Sequence, residues 1–267
     1  MGHVVAAIHH NAHRVTKVAA RLDDGATEDI AGDHFISSMA LRDLLERWDP
    51  PPPATVLQAA RELKYRDFLV VALIVRRADL FPDNWIYVHD PSVKVGRIQN
   101  FRAWSPDMVP TPDRACLGLE YFCLENDSLW TMPDGDLIAF ATREIERIGL
   151  VRPAEVEDGC VLRVTKAYPV YDAHYERHVR VVREYLEQFP NFQVVGRNGM
   201  HKYNNQDHSM MTALLAARNI MGHRFDVWKV NTDAEYLEED RSDEPAARAV
   251  PQPRTTPLRD SSANGAG

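Results

Sequence analysis

The chain is poor in the residues that mark several familiar protein classes. Only three of its 267 residues are cysteines, Cys116, Cys123 and Cys160. An odd number without C-x-x-C spacing argues against a disulfide framework or a zinc ribbon, and predicts buried thiols in a reducing cytoplasm. Glycine is scarce as well, at 13 residues, and no G-x-G-x-x-G occurs; the only G-x-G is Gly265-Ala266-Gly267. The glycine turn that brings a backbone close to a dinucleotide pyrophosphate is therefore missing from the sequence. No run of about 18 apolar residues exists, which excludes a membrane-spanning helix. The first residues, Met1-Gly-His-Val-Val, lack the basic-then-apolar layout of a secretion signal. Basic charge is outnumbered, 31 Lys+Arg against 39 Asp+Glu for a net charge of −8, and no basic stripe is present. That balance disfavours nucleic acid as a partner.

What the chain does have is an ordinary globular composition, 45% hydrophobic and 26% charged, in a length that supports a buried core. Val4–Ile8 and Arg14–Leu22 read as strands, with a turn at Asp23-Asp24-Gly25 into Ala26–Ser38, where Ile30, Phe35 and Ile36 are predicted to face a core. Ala40–Trp48 has helical apolar spacing, with Leu41, Leu44 and Leu45 as its core stripe. Asp49 and the four prolines Pro50–Pro53 end it and predict a boundary between substructures. Thr55–Leu63 reads as helix. Phe68–Val75 is a continuous apolar run suited to a strand buried on both faces. Strands are predicted over Asn84–His89, Val93–Phe101, Ala115–Cys123 and Cys160–Val164, and amphipathic helices over Asp134–Ile148 and Tyr175–Phe189. From Asp240 to Gly267 four prolines and almost no large apolar residue predict a disordered tail. No internal repeat is present.

The segment 192–222 is the most informative. Phe192-Gln-Val-Val-Gly-Arg197 reads as a strand entering a glycine turn, followed by the polar stretch His201–Ser209 and an Ala/Leu/Met-rich helix over Met210–Met221. A helix start of this kind offers unpaired backbone N–H groups and a dipole that favours negative charge. The same residues also suit a plain capped core helix, with Asn205 or Asp207 as N-cap and Ala213, Ala216 and Ala217 allowing close packing.

Gly196-Arg-Asn-Gly-Met-His-Lys-Tyr-Asn-Asn-Gln-Asp-His-Ser209 resembles the C-terminal flavin-binding motif of the UDP-galactopyranose mutase-like flavoproteins. These belong to the superfamily that contains protoporphyrinogen oxidases and flavin amine oxidases. Asn84-Trp-Ile-Tyr87, Gly96-Arg97, Asn100–Pro106 and Glu120 resemble the substrate-domain strands of the mutases, in the same order. Gly32–Met39 is similar to the strand at which superfamily members return to their cofactor domain. The resemblance covers roughly residues 10–230. It implies FAD as cofactor, with Gly196, Asn205, Gln206, Asp207, His208 and Ser209 near the flavin. It also implies that Arg97, Arg197, Tyr87 and Tyr203, with Trp85 beside them, bind a small-molecule substrate such as a nucleotide sugar. Arginine suits phosphate because its planar fork meets two oxygens at once.

The fold implied is α+β with α/β remnants: parts of an FAD/NAD(P)-binding domain at both ends and an antiparallel-rich substrate domain with helices inserted between them. The ranges are 1–48 for the first remnant, 49–190 for the substrate domain, 191–230 for the C-terminal FAD-binding strand and helix, and 240–267 for the tail. Three readings follow. The chain is the catalytic half of an FAD-dependent oxidoreductase or mutase, a truncated fragment that binds an anion without holding FAD, or one member of an oligomer whose partner chain covers the missing Rossmann half.

Other candidates are weaker. His9-His10-x-x-His13 has no neighbouring glutamate and reads as an exposed loop, so no metal site is expected. His174 and His178, four apart on a helix, read as a solvated face. Trp104 and Trp130 suit core packing as well as a pocket wall.

Overall fold

The computed structural model describes residues 2–232; the tail expected over 240–267 lies outside the described residues. In chain order the first elements are β1 (His3–His10), β2 (Val15–Leu22), β3 (Thr27–Ala31), β4 (Phe35–Ser37), α1 (Leu41–Glu46), β5 (Trp48–Asp49), α2 (Ala54–Glu62) and β6 (Tyr65–Val75). Then come β7 (Trp85–Tyr87), β8 (Arg97–Asn100), α3 (Phe101–Trp104), β9 (Ala115–Cys123), α4 (Asp134–Arg147) and β10 (Val156–Pro169). The last are α5 (Tyr175–Leu186), β11 (Phe192–Val194), α6 (Gly196–Gly199) and α7 (Gln206–Ile220).

Strands β1, β2 and β3 form an antiparallel meander, extended by β5 running parallel to β1. The turn predicted at Asp23-Asp24-Gly25 forms: Gly25 takes φ +84°, and the Ala26 N–H donates to Asp24 Oδ1 at 2.9 Å. The single segment expected over Ala26–Ser38 does not. β3 stops at Ala31, and β4 leaves the meander to pair in parallel with β11. Ile30 and Ile36 are exposed, a correction to their predicted place in the core, whereas Phe35 packs partly buried against it.

The proline connector joins two helices of one core rather than separating two cores. Leu41, Leu44 and Leu45 before it and Val56, Ala60 and Leu63 after it belong to the same buried cluster, with Val182, Leu186, Phe192 and Val194. Helices α2 and α5 thus share a core with β1, β2 and β11, so apolar packing does not divide at 48/49 and 190/191. On α5 the predicted face is the buried one, with Val182 and Leu186 in the core and Val179 packed against it, and Phe189, three residues past the helix end, joins the same core.

The second core lies under a five-stranded antiparallel sheet in the order β10-β6-β9-β8-β7. Alternation with a period of two sends Leu69, Val71, Leu73, Leu117, Leu119 and Tyr121 to one face, where all are fully buried. There they meet Leu137, Ala141 and Ile145 of α4, the predicted stripe. The opposite face carries the intervening residues and is covered in part by the short helix α3. Phe122 (45%), Leu162 (52%) and Val164 (44%) are exposed there, so β6 is sealed on one face only, not on both as its composition suggested. At Gly118 the Phe101 ring of α3 lies 3.0 Å from where a Cβ would stand, and so folds back over this face. The strands predicted at 84–89 and 93–101 shorten to β7 and β8, while 160–164 proves to be the middle of a 14-residue strand. All three thiols are free; Cys123 is buried and Cys116 half-buried, but Cys160 is exposed, against the expectation of burial.

Candidate functional site

The open face of the five-stranded sheet gathers residues from distant parts of the chain. Register places Arg97 of β8 between Tyr87 of β7 and Glu120 of β9. The Arg97 Nε donates to Glu120 Oε2 at 2.5 Å, and its guanidinium carbon stands 5.8 Å from the centre of the Tyr87 ring. At the far end of β10, Tyr168 and Tyr203 lie nearly parallel, ring centres 5.6 Å apart. Arg197 sits over both, 5.0 Å from the Tyr168 centre and 4.7 Å from that of Tyr203. Such contacts are attractive because the ring faces are electron-rich. The Arg197 N–H groups also donate to Asn204 O (2.9 Å), Ala167 O (3.3 Å) and Asn205 Oδ1 (3.5 Å), which fixes the guanidinium. The Tyr203 N–H donates to Tyr171 Oη at 2.6 Å. Phe68 and Phe122 floor the group, each about 6 Å from Tyr168.

Electrostatics tie these groups together. Burial pushes the Tyr203 phenol up, Tyr168 and Tyr87 add to the shift, and Arg197 and Arg97 oppose it. Burial disfavours the charged form of Arg97, yet its bonds to Glu120 and Tyr87 hold its pKa above the ordinary arginine value. Trp85 stands opposite Gln99 and stacks on Trp104, ring centres 5.3 Å apart, at the edge of the same face. The fold therefore brings together Trp85, Tyr87, Arg97, Arg197 and Tyr203, all expected from sequence. Tyr168 and Gln99 were missed. Their signal was present in strand alternation, which places both on the face that carries Arg97 or Tyr203, but β10 was read too short to include Tyr168.

The segment 196–209 leaves β11 differently from the expected open turn. Residues 196–199 form the one-turn helix α6. Gly196 takes φ +79° and its N–H donates to Thr212 Oγ1 at 3.0 Å. Gly199 passes so near the end of β4 that a Cβ would lie 2.9 Å from Ser37 O. Both motif glycines thus have a conformational reason. His201 is buried among Tyr65, Tyr171 and Tyr175, and burial pushes its pKa down to about 4, so it is neutral near pH 7.

Helix α7 starts at Gln206, four residues before the predicted Met210, which is itself exposed. Asn205 is the N-cap, and its N–H donates to His208 Nδ1 at 3.2 Å, so His208 serves the backbone of the helix start. Ser209 accepts from Thr212 Oγ1 at 2.7 Å through its carbonyl. Asn205, Gln206 and Asp207 are exposed, and the N–H groups of Gln206 and Asp207 have no partner within the helix by its geometry. Ala216 is buried and Ala213 partly so, while Ala217 is exposed.

Among the described residues no three His, Cys, Asp or Glu side chains cluster as potential metal ligands. His9 and His10 lie on β1 rather than in a loop, with His9 Nδ1 2.8 Å from Asp49 Oδ2 and His10 bonded to the carbonyls of Asn11 and Pro50. His174 is exposed and His178 half-buried. Trp130 packs beside the second core. No helix of the described residues is long and apolar enough to cross a membrane.

No family model matches the chain, and no curated protein matches it. Solved structures do, at the level of fold. A reduced UDP-galactopyranose mutase aligns with a TM-score of 0.69 at 20% identity, over 86% of this chain and 48% of that one. A candidate protoporphyrinogen oxidase from Exiguobacterium sp. 255-15 aligns at 0.57 and 17%, over 82% and 47%. A triple mutant from a redesign of cofactor binding in putrescine oxidase aligns at 0.53 and 13%, over 82% and 48%. The resemblance named from the sequence is thus present in the fold, and so is the mixed α+β class. The chain spans about half the length of the solved structures it matches.

Proposed function

We propose that this chain is the substrate-facing part of an FAD-dependent flavoenzyme, an oxidoreductase or a mutase-like isomerase, acting on an anionic small molecule such as a nucleotide sugar. The observation that carries this reading is the convergence of Arg97 and Arg197 with Tyr87 and Tyr203 on one exposed face, beside a helix start with free N–H groups. The arginine forks and phenol hydroxyls would bind phosphate oxygens, and the Trp85–Trp104 stack would offer a flat wall to a planar group.

The chain's residues fit the ring end of FAD. Asn205, Gln206 and Asp207 form an exposed helix start, whose first N–H groups and dipole suit the polar edge of a flavin, whereas Gly196 is buried with its N–H given to Thr212. FAD bound there would supply redox or nucleophilic chemistry that amino acids lack. Nothing in this chain fits the pyrophosphate end, because no G-x-G-x-x-G is present. That absence favours a second reading, in which the chain binds an anionic ligand or a partner but does not hold FAD by itself.

A visible spectrum of the purified chain, with and without added FAD, separates the two. A stoichiometric flavin band supports FAD binding by this chain. No band at saturating FAD, with nucleotide-sugar binding retained, supports the second reading. Absence of both overturns the proposal.

A further inference from the structure

The Trp85–Trp104 stack and Arg97 are joined by a relay of hydrogen bonds that the reading above does not use. Trp85 and Tyr87 stand opposite Gln99 and Arg97 in the β7–β8 register, and Gln99 and Arg97 both turn toward Glu120 of β9. Glu120 is 2% exposed although it lies on the open face of the sheet. A carboxylate so placed needs donors, and it has two: Arg97 Nε at 2.5 Å on Oε2 and Gln99 Nε2 at 2.8 Å on Oε1. The Gln99 carbonyl accepts from Trp104 Nε1 at 2.9 Å. An indole N–H only donates and a carboxylate only accepts, so the amide has one orientation that satisfies both ends. An apolar side chain at position 99 would leave Glu120 Oε1 and Trp104 Nε1 without these bonds, and a carboxylate there would repel Glu120.

Two ligand-binding features thus share one set of bonds. Arg97 gives its Nε to Glu120 and keeps its terminal NH₂ groups for Tyr87 and an anion. Trp104 is held by its ring against Trp85 and by its N–H on Gln99. We infer that Gln99 is a positioning residue that couples the aromatic wall to Arg97, so that a planar ring and a diphosphate borne by one ligand bind cooperatively. A ring settling on the wall fixes the exposed Trp104 indole, and with it the Gln99 amide, Glu120 and finally the Arg97 fork. The entropy of ordering these groups is then lost once for both parts of the ligand rather than twice. This rests on the proposed function and deepens it: the preferred ligand carries its planar group and its diphosphate close together, as a nucleoside diphosphate does. By linkage the effect is reciprocal, each part tightening the other by the same factor.

Separate probes for the two parts test this on the whole chain: inorganic pyrophosphate, and uridine, which is uncharged. Titration calorimetry gives the pyrophosphate dissociation constant without uridine and at rising uridine concentration. In the unaltered chain saturating uridine is expected to tighten pyrophosphate binding on the order of fivefold. Gln99→Met keeps the length of the side chain and removes both of its bonds, and is expected to abolish the effect. Trp104→Phe keeps a ring on the stack and removes the N–H at an exposed position. It is expected to do the same, so the test stands should Gln99→Met fail to fold. A loosened sheet would weaken binding in either variant but would not cancel the dependence of one probe on the other. Pyrophosphate that binds the unaltered chain regardless of uridine, or a uridine effect that survives in either variant, overturns the inference and leaves the proposed function standing. If pyrophosphate does not bind the unaltered chain at all, both fall.

Discussion

The two faces of the five-stranded sheet are made by alternate residues of the same strands, yet they differ sharply. Leu69, Val71, Leu73, Leu117 and Leu119 look one way and are sealed beneath α4. Phe68, Val70, Phe122, Leu162 and Val164 look the other way, and Phe122, Leu162 and Val164 remain exposed. Each face also holds one buried glutamate. Glu144 accepts the N–H groups of Lys94 (2.6 Å) and Val95 (3.1 Å), tying a loop to α4, whereas Glu120 is spent on Arg97 and Gln99. The closed face stores stability. The open face keeps aromatic rings and charge available at the surface, an arrangement that costs stability unless something binds there.

The comparison breaks most visibly if truncation costs the same on both faces. Leu119→Ala on the closed face is expected to destabilise the fold by about 2–5 kcal/mol in chemical denaturation, against less than about 0.5 kcal/mol for Leu162→Ser on the open face. The first core supplies a second contrast. The His201 proton is bound in the unfolded chain near pH 6.5 but in the folded one only near 4. Unfolding therefore takes up a proton in that window. Stability should fall by about 3 kcal/mol as the pH drops through it, and level off below. Denaturation midpoints at pH 7 and pH 4 measure this, and His201→Asn, which tolerates the φ of +46°, should remove most of the dependence. Removing Glu144 as Glu144→Ala is expected to cost about 1–3 kcal/mol of stability while leaving anion binding at the open face unchanged. The smallest effect belongs to Tyr168→Ala, which takes one ring from beneath Arg197. It should weaken anion binding a few-fold, the scale of one exposed cation–π contact, with little change in melting temperature.

Much of this division was legible beforehand. Helical spacing located α4 and α5 and their buried faces, because amphipathicity is a local property of sequence. Arg197, Tyr203, Arg97 and Tyr87 were singled out together only through the resemblance of their motifs to the mutase-like family. Other features depend on partners far along the chain. The core shared by α2 and α5 could not be read from Pro50–Pro53, since a stiff connector says where a helix stops, not what it packs against. Ile36 looked like core, but β4 pairs with β11, 157 residues later, and that pairing turns Ile36 outward. The Glu120–Gln99–Trp104 relay required the register of β8 on β9.

Titration calorimetry of UDP-galactose into the chain and into Arg197→Ala tests the central claim most directly. The proposed function predicts that the variant binds on the order of tenfold to a hundredfold more weakly, a loss larger than the destabilisation that follows from removing its bonds to Asn204, Ala167 and Asn205. Equal affinity in the two proteins, or no binding to either, would contradict it.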